Sequence, residues 1–171
     1  MMEPARVVGF STEGVSARTV LDVGAGAGLF AEAFLAAGFA VTGVDVNGEA
    51  LALARRSVPG ATFVEGAAEA LPFEARSFDI VFMAHVLHEV DDPEQALREA
   101  ARVARGRIVV VEWPYRREES GPPLEHRISP DEIGRISSRL GLGLLSRRSL
   151  ARVDLYSFAP DSARRDPACS R

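Results

Sequence analysis

The segment RTVLDVGAGAGLFAEAFLAAG, residues 18–38, constrains the fold more tightly than any other. An apolar, β-branched run enters a turn with glycine at positions 24, 26 and 28 and leaves it on a helical spacing. Leu29, Phe30, Ala33, Phe34 and Ala37 share one face of that helix, and Gly38 supplies its stop. A strand that passes through a tight turn into a helix is a βα unit, which buries its apolar stripe only by packing against a sheet.

The alternation continues. FAVTGVDV reads as a second strand, NGEALALARRSV as a helix capped by Asn47, and ATFVEGA as a third strand. The loop EALPFEARS leads to the strand FDIVFMAH, then to a helix capped by Asp92 with Pro93 in its first turn. GRIVVVEW is a buried fifth strand, and SPDEIGRISSRLG a helix capped by Ser129. LGLLSRRSLA and RVDLYSFAP are short strands that pair antiparallel. The fold class is therefore α/β: a doubly wound, mostly parallel, seven-stranded Rossmann-like sheet with an antiparallel C-terminal strand and helices on both faces. A length of 171 residues suits a single domain over 1–159, with a short N-terminal segment at 1–19 and a disordered tail at 160–171.

Composition removes several chemistries. No apolar run reaches membrane-spanning length and MMEPARVVGF is no signal peptide, so a cytoplasmic protein without a membrane partner is expected. The lone Cys169 excludes an internal disulfide or a cysteine metal site. All 20 basic residues are arginine, which excludes a Schiff-base lysine. The net charge of -4 argues against a nucleic-acid partner. Its division into -7 over residues 1–113 and +3 over 114–171 leaves the basic third free to touch an anionic substrate.

In a doubly wound sheet the ligand lies beyond the carboxyl ends of the strands, where Gly24, Gly26 and Gly28 stand. Such a turn brings backbone amides close to a ligand, and nucleotide, dinucleotide and sulfonium cofactors all use one. The spacing departs from the dinucleotide pattern G-x-G-x-x-G, because Leu29 occupies its last glycine position. A phosphate-binding P-loop needs a lysine that the chain lacks. Asp22, a carboxylate just before the turn, suits a positively charged cofactor better than a pyrophosphate.

VLDVGAGAG, VTGVDVN, EGAAEALPFEARSFDIVFMAHVLHEVDDP and RIVVVEW together resemble the motifs of class I S-adenosylmethionine (SAM)-dependent methyltransferases. The likeness covers most of the chain and is strongest to the small-molecule branch that includes ubiquinone and menaquinone biosynthesis enzymes. It implies SAM as cofactor and methyl transfer to a small molecule. By resemblance, Gly24, Ala25, Gly26 and Gly28 wrap the methionine part, with Asp22 orienting that loop and complementing the amino group. Asp45 takes both ribose hydroxyls, Val46 packs on the adenine, Ala67 and Ala68 edge the ring, and Ala84 and His85 face the methionine end.

Three departures stand out. Many relatives carry an aspartate at the position of Ala67, so Glu65, Glu69 or backbone carbonyls are expected to meet the adenine amine. The turn before the fifth strand shrinks to ARGR, residues 104–107. Only 19 residues precede Val20, enough for a short helical cover, so the pocket is open, covered by the 114–128 loop, or completed by a second subunit in a homodimer.

Methyl transfer is an in-line displacement that needs alignment, and a base only when the nucleophile must lose a proton. His85 and His126 are the candidate catalytic residues, and His88 reads as structural. Trp113, Glu125, His126 and Arg127 are the candidate substrate contacts. His85, His88 and Glu89 match no metal motif, and no metal is expected. A SAM-binding partner subunit without turnover and a nucleotide-binding oxidoreductase are the alternative classes.

Overall fold

The computed structural model describes residues 3–118 and 121–160, and the expected tail from residue 161 onward, with Cys169, lies outside them. Seven strands form one sheet: β1 (Thr19–Val23), β2 (Ala40–Asp45), β3 (Thr62–Glu65), β4 (Phe78–Ala84), β5 (Ala104–Glu112), β6 (Gly143–Ser149) and β7 (Asp154–Ala159). Their spatial order is β3-β2-β1-β4-β5-β7-β6. β1 to β5 pair parallel, and β7 runs antiparallel to both β5 and β6. The expected sheet, with its antiparallel C-terminal strand, is the one observed. The order reverses between β1 and β4, so the crevice of a doubly wound sheet opens there.

Strand alternation divides the core in two. Leu21, Val81, Met83, Ile108 and Val110 face α4 (Pro93–Val103) and α5 (Pro130–Arg139). Val20, Ile80, Phe82, Val109 and Val111 face α1 (Pro4–Thr12), α2 (Leu29–Ala36) and α3 (Gly48–Ser57). Successive residues of β4 and β5 thus enter opposite layers, the period-2 geometry of a strand covered on both faces.

The helix starts follow the sequence. The Asn47 side chain accepts from the amides of Glu49 and Ala50, Asp92 from Gln95, and Ser129 from Glu132. Three local expectations change. α2 starts from Gly28 in the left-handed region at φ 92, and the helix is turned so that Phe30, Ala31 and Phe34 are buried while Leu29 is 55% exposed. ARGR is no turn: α4 ends at Val103 and β5 begins at Ala104, with a register shift opposite Phe78 and Ile80 absorbing the change. The N-terminal helix α1 covers the sheet rather than the crevice. Its Val7 and Val8 join the second core layer, and Arg107 ties its end down by donating to the carbonyls of Ser11 and Glu13.

Candidate functional site

The glycine turn is pinned to β2 by its own amides. Gly24 and Ala25 both donate to the Val44 carbonyl, at 2.8 and 3.1 Å, and Gly28 donates to Ala25. Gly26 donates to Asp45 Oδ2 at 2.8 Å, while Asp45 Oδ1 accepts from Asn47 at 2.8 Å. Glycine is required at Gly24, whose φ is 71 and where a Cβ would stand 2.5 Å from Val86 Cγ2. The amides at 24, 25, 26 and 28 are therefore engaged within the protein, which corrects the expectation that they would reach out to a ligand.

Beside this turn lies a cleft of about 190 Å³ at the β1/β4 switch point. Gly24, Asp45, Val46, Ala68 and His85 line it, joined by Glu69 and Glu89. Val46 is 68% exposed, an apolar surface left uncovered at the end of β2. Ala67 and Ala84 are not among the lining residues; Ala67 forms an isolated bridge with Ala70, and Ala84 packs beside the second core layer. Glu69 brings a carboxyl to the edge where Ala67 has only a methyl group. Ala25 is buried, its methyl filling the space above Gly43.

Asp22 is placed differently from expectation. It does not line the cleft but lies beneath the turn, 2% exposed, with Oδ2 buried and unpartnered. Burial pushes its carboxyl up to about 7; a hydrogen bond from the Ala31 amide opposes the rise and the nearby Asp45 charge adds to it.

His85 follows β4 directly, with its amide donating to Val111 at 2.8 Å and its φ at 60. The ring lies 4.6 Å from that of Trp113, and its buried Nδ1 has no hydrogen-bond partner. Burial lowers the His85 pKa, Glu112 pulls it upward, and His88 adds to the lowering. The imidazole is accordingly neutral near pH 7. His88 behaves oppositely: burial works against its charge, but the hydrogen bond and charge of Glu112, with help from Glu89, raise its pKa overall.

Glu112, the last residue of β5, has no role in the reading from sequence. It is 2% exposed and accepts from the Leu87 amide at 2.8 Å and meets His88 Nδ1 at 2.7 Å. Its signal in the sequence was a single acid ending the apolar run of β5. His85, His88 and Glu112 bring one possible ligand atom each within 4.8 Å of one another, whereas Glu89 stands 3.7 Å from His88 Nε2.

Gly121 and Arg127 of the 114–128 loop pack against Trp113. Gly121, at φ 87, lies flat against the indole, where a Cβ would meet the ring at 2.8 Å. Arg127 turns inward: its Nε donates to Pro122, its Nη1 donates to Pro114 and Arg116, and its guanidinium lies 5.6 Å from the Trp113 ring centre. The side chain proposed from sequence as a substrate contact is buried in its own loop. Glu125 and His126 lie exposed on the 3-10 turn Leu124–His126, and neither lines the cleft.

Comparison with known proteins agrees with this geometry. The family described as "Methyltransferase domain" matches residues 21–110. The demethylmenaquinone methyltransferase of Renibacterium salmoninarum is 37% identical over 112 residues, covering 64% of this chain and 47% of that protein. The chain spans less than half the length of the curated relatives it matches. Among solved structures, the YcgJ protein of Bacillus subtilis is 28% identical with a TM-score of 0.69, covering 86% of this chain and 72% of that one. A SAM-dependent methyltransferase from Aquifex aeolicus shares the fold at a TM-score of 0.77 and 22% identity, over 92% of this chain and 98% of that one.

Proposed function

We propose, from the premise that the chain belongs to the methyltransferase domain family, that it moves the methyl group of SAM onto a small-molecule acceptor held against His85 and Trp113. One observation carries the reading. The turn amides of residues 24, 25, 26 and 28 already donate within the protein, and the cleft presents the carboxylates of Asp45, Glu69 and Glu89 with no arginine among its lining residues. An acceptor-rich cleft fits a ligand that brings donors and positive charge, such as an ammonium, a sulfonium, two ribose hydroxyls and an adenine amine. It does not fit a dinucleotide.

Each Asp45 oxygen takes one backbone amide and keeps a second lone pair, so both ribose hydroxyls can still donate to it. Val46 offers the adenine a flat apolar contact, Ala68 borders the ring, and Glu69 accepts from its amine in place of the missing acid at Ala67. The turn from Gly24 to Gly28 wraps the methionine part, with Asp22 beneath it as a negative centre that responds to the ligand's charge. Bound SAM supplies a methyl group on a sulfonium, ready for in-line displacement. His85, kept neutral by burial at the edge of the cleft, takes the proton of an acceptor hydroxyl, and the indole of Trp113 bounds the acceptor beyond it.

The demethylmenaquinone methyltransferase likeness suggests a hydroxylated, quinone-like ring as the first acceptor class to try. No helix among the described residues is long and apolar enough to cross a membrane. Thermal shift and calorimetry with SAM, S-adenosylhomocysteine, NAD and ATP test the cofactor. The first two should bind and stabilise, because a ligand held only by the folded state raises its melting temperature. Stabilisation by NAD alone would overturn the reading. Label transfer from methyl-tritiated SAM to a panel of hydroquinones and phenols then tests turnover.

A further inference from the structure

The structure assigns a divalent-cation site to His85, His88 and Glu112, where β4 and β5 end beside the cleft that His85 lines. The three side chains come from two strand ends and the turn that follows one of them, and their ligand atoms already lie within 4.8 Å of one another. Two features point to a ligand rather than to a closed hydrogen-bond network. His85 Nδ1 is buried without a hydrogen-bond partner, although it belongs to a ring that lines an open cleft. Glu112 is a carboxylate at 2% exposure, and a charge so buried is stabilised by a cation brought close to it.

The surroundings are those of a metal ligand set. The Leu87 amide donates to Glu112 Oε1 at 2.8 Å, and Oε2 meets His88 Nδ1 at 2.7 Å. Glu89 stands 3.7 Å from His88 Nε2, on the side of the ring opposite Nδ1, where a carboxylate orients a metal-bound imidazole. Trp113 backs the His85 ring at 4.6 Å. Two imidazoles and one carboxylate select zinc, cobalt or nickel over magnesium or calcium, which take oxygen ligands. Three protein ligands leave the remaining positions toward the cleft that His85 lines, where an acceptor hydroxyl would enter.

This inference reverses the sequence expectation of no metal because the third ligand changes. Glu89 is adjacent in sequence, but Glu112, 24 residues beyond His88, holds the central position. Metal binding needs no methyl donor or acceptor, so its test is separable from that of methyl transfer; a histidine nitrogen that ligates an ion takes no proton, so with the ion bound His85 would hold it and not act as the base.

The test uses the full chain, stripped with EDTA and titrated with zinc chloride by calorimetry and with cobalt chloride by visible absorption. One ion per chain is expected, with the intense d–d bands of low-coordinate cobalt. Glu112→Gln and His85→Ala should each weaken binding by about tenfold or more, on the scale of losses at metal sites, while His126→Ala leaves it unchanged. His85→Ala removes a ring at the cleft rather than from the core, so it remains informative if Glu112→Gln fails to fold. Circular dichroism and thermal melts on each variant establish that it is folded. Absence of binding at millimolar zinc and cobalt, or binding undiminished in folded His85→Ala, overturns the site.

Discussion

The carboxylate of Asp45 and the amide of Gly26 meet at 2.8 Å, so the acid at the end of β2 holds the glycine turn as well as facing the cleft. A residue with both duties couples turn geometry to ligand affinity. Asp45→Ala should weaken SAM binding by about 1.5–3 kcal/mol, the range for hydrogen bonds to a charged group. Asp45→Asn should cost nearly as much, because its amide nitrogen must face the donor of either Gly26 or Asn47. Calorimetry on the two variants measures both losses, and an unchanged dissociation constant in either removes Asp45 from the cofactor site.

The closeness of the glycine turn to Val86, just past β4, yields a second expectation. Gly24→Ala places a methyl group 2.5 Å from Val86 Cγ2 and forces a side chain to φ 71. The backbone strain alone is worth about 1–2 kcal/mol, and the clash adds to it. Val86→Ala in the same chain should recover the clash and leave the strain. Urea unfolding of the wild type, both single variants and the pair should show a favourable coupling between the sites. Additive effects would mean that the turn moves away from Val86 without resistance.

Asp22 gives the stability a pH dependence whose sign is fixed. Burial holds its folded-state pKa at about 7, above the 3.8 that is ordinary for an aspartate, so near pH 5 the folded chain holds a proton that the unfolded chain has lost. The contribution is complete below the lower value, falls by about 1.4 kcal/mol per pH unit between the two, and is flat above the upper one. Asp22→Asn lacks this slope. The stability of the variant minus that of the wild type should therefore grow between pH 5 and pH 7 and then level off, while SAM affinity falls. Parallel unfolding profiles across that range would show that the buried carboxyl ionises freely.

Much of this architecture is legible in the sequence because it is local. The caps Asn47, Asp92 and Ser129 each satisfy amides within three residues, and the glycine turn declares its own backbone. Asp45 and Val46 are placed by the motif that ends β2. What escapes local reading is contact across the fold. The Glu112–His88 pair joins residues 24 apart because β4 and β5 are neighbours in the sheet, and nothing near either residue announces the other. Leu29 belongs to an apolar stripe by spacing, yet it is exposed because α2 starts from a left-handed Gly28. Arg127 reads as a solvated charge beside Glu125 and His126, whereas the carbonyls that receive it lie up to 13 residues earlier in its own loop.

That inward turn of Arg127 separates two roles. As a substrate ligand the guanidinium would be felt in turnover; as a clamp it is felt in stability. It donates to the carbonyls of Pro114, Arg116 and Pro122 while packed near Trp113, so removing it strands buried acceptors and frees the loop from the indole. Arg127→Met should destabilise the protein by about 1–3 kcal/mol, the penalty for buried groups left without a donor. Arg127→Lys should recover only part of this, since an ammonium lacks the planar fork that serves several carbonyls at once. Trypsin should also cut the Met variant faster after Arg116 or Arg117, because an undocked loop admits the protease. SAM affinity should hold within about twofold, given that the loop contributes no residue to the cleft lining. Thermal melts, timed proteolysis and calorimetry on the two variants read the three effects separately. A Met variant with wild-type melting and proteolysis but reduced turnover on an identified acceptor would return Arg127 to the substrate site.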